Sequence, residues 1–162
     1  MKRAKNKTRK RTNSNLPAKG RLRDIADQLW SIAVRSDWQW KCAVCGKMPC
    51  EAHHLIPRQH PAMRHNLRNG IALCSSHHQF CAKVSPHQNA AGWMRWLKEH
   101  QELRHDWLVE TVENGDHLKF DGTTNAVYYC GIILDLRAHV EPDQFRQIVG
   151  VKLSEYLLAD KT

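Results

Sequence analysis

Two pairs of soft donors place the strongest constraint on this chain. Cys42 and Cys45 form one pair and Cys74 and His77 the other, each with two residues between its members. That spacing suits a closed tetrahedral zinc site that staples two distant turns together. His53, His54, Asn69 and His78 lie between or beside these ligands, and a four-donor shell needs none of them. Nitrogen donors left over beside a structural metal point to a second, open site, and an open site is where chemistry takes place. The plainer reading is a zinc-stapled binding knuckle whose extra histidines are polar surface, since a histidine is usually solvated or satisfied.

The 162 residues suffice for one compact domain with a modest core and small appendages. No apolar run approaches the length of a membrane span. No apolar segment follows the basic N-terminus, so a secretory signal is not expected. In that setting six cysteines fit reduced, metal-bound thiols better than disulfides, and the expected compartment is the cytoplasm.

Charge divides the chain. Ten Lys/Arg and no acid precede Asp24, whereas fifteen Lys/Arg face sixteen Asp/Glu from there on. The first part therefore carries +10 and the rest −1, which together make the net +9. Residues 1–20 show no apolar periodicity and read as a basic tail, disordered when free. Lys2, Arg3, Lys10 and Arg11 within it suit a sequence-blind clamp on nucleic-acid phosphates through counterion release. The bland alternative is a solvated tail that aids solubility.

Leu22, Ile25, Leu29, Ile32 and Ala33 recur at helical spacing, with Trp30 on the same side, so residues 21–37 read as an amphipathic N-terminal helix. Trp38 and Trp40, two apart, would share a face on a strand. Glu51 to Ile56 reads as a strand, and Ser75 to about Val84 as a short helix stopped by Pro86. Such a helix would turn His77 and His78 about 100° apart. Trp93, Trp96, Leu97, Leu103, Trp107 and Leu108 suggest two helices or one bent helix from Asn89 to Glu113, followed by a turn at Asn114-Gly115-Asp116. The β-branched run Val127 to Leu136 leans toward a strand. Pro142-Asp143 opens a last helix with Phe145, Ile148, Val149, Leu153, Tyr156 and Leu157 on one stripe.

The order Cys42-x-x-Cys45, His53-His54-Leu55-Ile56-Pro57, Asn69-Gly70-Ile71-Ala72-Leu73-Cys74 and Cys74-x-x-His77-His78 resembles the HNH endonucleases, especially the small bacterial and phage types. The resemblance runs from Trp38 to roughly Lys83. It implies an α+β fold: a ββα-metal (His-Me finger) core over 38–85 with a structural zinc, preceded by the N-terminal helix and followed by a mainly helical extension over 86–162. It implies that Cys42, Cys45, Cys74 and His77 hold the zinc, with Cys50 or Cys81 as alternatives to His77, because the fourth ligand is more often cysteine. It also implies that His53 and His78 bind a catalytic Mg²⁺, Mn²⁺ or Ni²⁺ ion, His53 standing where the family often has Asp. His54 would be the general base and Asn69 the residue that holds its loop; Asn66 misses that offset.

The activity implied is hydrolysis of DNA phosphodiester bonds to 5′-phosphate and 3′-hydroxyl ends, falling as pH drops below the ordinary histidine pKa of about 6.5. Arg58 is a candidate phosphate contact. Two imidazoles favour Mn²⁺, Ni²⁺ or Zn²⁺ over Mg²⁺, which prefers oxygen ligands. The partners implied are DNA and no membrane, and a homodimer or other phage or host DNA-processing proteins are compatible with it. The rival class is a non-catalytic, zinc-stabilised nucleic-acid-binding protein.

Overall fold

The computed structural model describes residues 16–159. The expectations for Lys2, Arg3, Lys10 and Arg11 lie outside that range. Helix α1 (Lys19–Asp37) is followed by strand β1 (Glu51–His54), the one-turn helix α2 (Pro61–Arg64) and strand β2 (Gly70–Leu73). A π-helical turn (Ser76–Phe80) leads to α3 (Ala90–His100) and α4 (Glu102–Glu113). Helices α5 (Ala126–Leu136), α6 (Pro142–Val149) and α7 (Val151–Ala159) follow. The architecture is mostly helical around one small sheet, a ββα-metal fold with helical additions. Among the described residues no helix is long and apolar enough to cross a membrane.

Helix α1 forms because its apolar residues recur on one stripe. Leu22, Ile25, Ala26, Leu29, Trp30, Ile32, Ala33 and Val34 are all buried. Removing a Leu, Ile or Val side chain from water contributes about 1.5–3 kcal/mol, far more than helix propensity differences. The strand expected for Trp38 and Trp40 is absent. Gln39 and Trp40 adopt left-handed backbone, φ 53° and 61°, so the chain leaves α1 through a tight turn. The Arg35 guanidinium lies over the Trp40 ring at 4.7 Å, which helps hold a conformation that a bulky residue rarely takes.

The sheet is antiparallel and in register from Glu51–Leu73 to His54–Gly70. Its β2 strand is wholly buried and lies directly on α1. A Cβ at Gly70 would fall 2.2 Å from Val34 Cγ2, so only glycine allows the approach. The expected helix over Ser75 to Val84 shrinks to the π turn, which closes with the Cys81 N–H donating to the Ser76 carbonyl at 2.8 Å.

The run from Val127 to Leu136 is helix, not strand. Asn125 caps it by accepting from the Tyr128 amide at 2.9 Å. Tyr129, Cys130, Ile133 and Leu136 then fall on one face against α1. Cap and packing together outweigh the few tenths of a kcal/mol per residue that β-branching costs a helix. The expected last helix is two, broken at Gly150, whose φ of 86° an L side chain rarely adopts. Trp38 packs against both the core cluster centred on α1 and the one formed by β2, α3 and α4.

Candidate active site and metal centres

The zinc-type cluster is assembled by two short turns. Cys42 and Cys45 lie on a turn closed by the Cys42 amide donating to the Lys47 carbonyl and the Gly46 amide to that of Cys42. Gly46, at φ 69°, allows its tight exit. The Ala43 amide donates to the Ala72 carbonyl at 2.8 Å, tying the turn to β2, whose end delivers Cys74. Cys74 Sγ lies 3.3 Å from His77 Nδ1, Cys42 Sγ 3.6 Å from that same nitrogen, and Cys45 Sγ 3.9 Å from Cys74 Sγ. Donors about 2.0–2.3 Å from a tetrahedral zinc are roughly 3.3–3.8 Å apart, so this set fits zinc. Cys42, Cys45, Cys74 and His77 could hold it together; Cys50 and Cys81 are not in the set. Backbone amides of Cys74, Cys45 and Val44 outweigh the effect of burial and hold the Cys42 thiol below its ordinary pKa.

A second cluster takes the next residue of the π turn, His78. His53 Nδ1 and His78 Nε2 face each other at 3.0 Å, and His87 joins them as a third possible ligand. Two imidazoles on one divalent ion, at about 2.0–2.1 Å each, bring their nitrogens to about this separation. His78 donates through Nδ1 to Glu51 Oε2 at 2.9 Å, which leaves Nε2 as the free lone pair. Glu51 and His53 share a face of β1. Burial, and then the neighbouring His78 and His87, hold the His53 pKa down to about 3, so its ring is a neutral donor.

His87 escaped the sequence reading. The only hint is its place between Pro86 and the helix-capping Asn89, and chain path, not spacing, carries it to the site. Ser85 makes that path: buried, it donates to the His78 carbonyl at 2.9 Å and accepts from the amides of His87 and Gln88. Glu51 was missed for the same reason, having no sequence proximity to His78.

His54 points to the opposite face of β1. Its Nε2 lies 2.9 Å from the Arg64 carbonyl. A carbonyl only accepts, so Nε2 carries the hydrogen and Nδ1 is left basic. The ring stacks on Trp30, with centroids 3.7 Å apart and planes at 13°. Burial lowers its pKa to about 4, partly opposed by the hydrogen bond to Arg64, so the neutral form extends well below the ordinary histidine range.

Asn69 is fully buried beneath this loop. Its Oδ1 accepts from the Ile56 amide at 2.6 Å, and its Nδ2 donates to the carbonyls of Ile56 and Met63 at 2.9 and 3.0 Å. The contact is thus with the loop after His54 rather than with His54 itself. Asn66 instead caps the following turn, accepting from the Arg68 amide. Arg58 is exposed and lines one cavity with Lys19, Arg23 and Arg64.

No curated protein and no solved structure matches the chain. Residues 42–80, the span that carries both donor pairs, His53, His54, Asn69 and His78, match the family model of the HNH endonucleases.

Proposed function

We propose that this protein is a metal-dependent endonuclease that hydrolyses phosphodiester bonds in DNA, with His54 as general base. The observation that carries this reading is the arrangement of two adjacent strand residues. His53 turns into a three-imidazole cluster, while His54 presents a neutral ring with Nε2 committed to the Arg64 carbonyl and Nδ1 uncommitted. His53, His78 and His87 would hold one divalent ion, which supplies charge neutralisation at the scissile phosphate and its leaving oxygen.

His54 Nδ1 takes a proton from water. The water oxygen bonds to phosphorus as the bond to the 3′ oxygen breaks, and the departing oxygen is protonated by solvent. The products are a 5′-phosphate and a 3′-hydroxyl. Asn69 keeps the His54 loop in place through its three hydrogen bonds. Lys19, Arg23, Arg58 and Arg64 line one cavity on the Arg64 side of the base, suited to a neighbouring backbone phosphate. The basic residues before Asp24, among them Lys2, Arg3, Lys10 and Arg11, add affinity that weakens as salt rises.

The test is nicking of supercoiled plasmid with Mn²⁺ or Mg²⁺, with and without chelator. Cleavage by wild type, lost in His54→Ala at unchanged DNA affinity, is the expected result. DNA binding with no cleavage under any divalent metal would leave a zinc-stabilised binder instead.

A further inference from the structure

We propose that α1 belongs to the catalytic unit, with Trp30 and Asp27 as positioning residues that set the ring plane and tautomer of His54. The inference rests on the reading of His54 as general base, yet it concerns a helix that ends at Asp37, before the matched segment begins.

Trp30 supplies the plane. Its indole covers one face of the imidazole at 3.7 Å, so rotating the ring would drive an edge into the indole. The indole is itself anchored, its Nε1–H donating to the Asn66 carbonyl at 3.1 Å.

Asp27 supplies the tautomer, through Arg64. The Arg64 guanidinium donates Nε to Oδ1 at 2.7 Å and Nη2 to Oδ2 at 2.5 Å, the two-pronged geometry that fixes a guanidinium best. Its Nη1 donates to the Arg58 carbonyl at 3.0 Å, and His65 donates Nε2–H to Asp27 Oδ1 at 2.9 Å. With side chain and neighbour both held, the Arg64 carbonyl is presented at a set point, and it accepts from His54 Nε2 at 2.9 Å. A strap therefore runs from the α1 carboxylate through Arg64 to the base. Because its last link only accepts, the strap admits one neutral form of His54, the one with a basic Nδ1. An imidazole released from it could protonate at either nitrogen, and the form with hydrogen on Nδ1 is useless as a base there.

Long-range ¹H–¹⁵N correlation spectra of the zinc-loaded full chain read the tautomer directly, His54 being assigned by the signal lost in His54→Ala. Wild type and Trp30→Phe, which keeps an aromatic face on the ring, are expected to show the Nε2–H form alone. Asp27→Asn is expected to show both forms and to slow single-turnover plasmid cleavage by about tenfold or more, with KM for DNA within about twofold of wild type. Arg64→Lys, which keeps the carbonyl and the charge but not the two-pronged pair, serves if Asp27→Asn fails to fold by circular dichroism and zinc content. A folded variant of either kind that keeps the single tautomer overturns the inference, whatever its cleavage rate. If wild type cut no DNA, His54 would lose its role as base, while the spectra would still decide whether α1 sets its ring.

Discussion

His77 and His78 are neighbours in the chain, but one joins three thiols and the other joins two imidazoles. The thiol cluster is built by backbone: two turns, each spanning four residues, tied to one another through β2. The imidazole cluster is built by side chains from three separate places, β1, the π turn and the loop after it. Glu51 and Ser85 are its supports. Three thiolates and one imidazole fill a tetrahedron and leave no position for a substrate, whereas three imidazoles leave positions open. With metal bound, the difference would separate a part that the fold depends on from a part that the fold holds, and it can be broken from either side.

The largest effect is expected from the thiol side. Cys42→Ser removes a buried ligand from a site whose binding energy is folding energy, so the variant should lose zinc and its cooperative thermal transition together. Zinc content alongside circular dichroism checks this. His54→Ala should retain zinc and fold while losing about 10²–10⁴-fold in single-turnover cleavage, the usual contribution of a positioned base. Glu51→Ala removes the partner of His78 from an exposed position, and should raise the Mn²⁺ concentration for half-maximal cleavage by about 10–100-fold without touching zinc. Zinc loss in that variant would mean that the two clusters are one cooperative unit.

The smallest effect is a pH dependence of stability at Asp27, which belongs to neither cluster. Burial pushes its carboxyl pKa up, but the hydrogen bonds and charges of Arg64 and His65 outweigh this and hold it well below the usual carboxylate range. The unfolded chain then binds more protons than the folded one at acid pH. The resulting stabilisation is complete above the unfolded value of about 3.9 and is lost as pH falls toward the depressed folded value. Melting temperatures of wild type and Asp27→Asn should therefore converge below about pH 4, with wild type ahead above it. A constant gap across that range would assign the contact to shape rather than charge.

What could be read from the order of residues was whatever depends on short intervals. Two residues between Cys42 and Cys45, and between Cys74 and His77, place both donors of each pair on one turn whatever surrounds it. The stripe from Leu22 to Ala33 declares α1 because a helix brings residues three and four apart onto one face. His53 and His54 stand out as an adjacent pair of nitrogen donors, but alternation along a strand sends them to opposite faces, which by itself argues against one shared site. Separate roles for them come from the HNH resemblance, not from spacing. The run from Val127 to Leu136 leans toward strand by composition yet is helix, because its apolar residues tolerate either structure and the Asn125 cap with packing on α1 decides between them.

Tertiary structure alone decided the rest. His87, Glu51, Trp30 and Asp27 meet their partners across intervals that no local period encodes, brought there by a π turn, a buried serine and a glycine that lets β2 lie on α1. Which nitrogen of His54 stays basic was likewise undetermined by its neighbours in sequence. That choice is made by a carbonyl ten residues further on, because a hydrogen bond depends on where atoms meet in space and not on how far apart they lie along the chain.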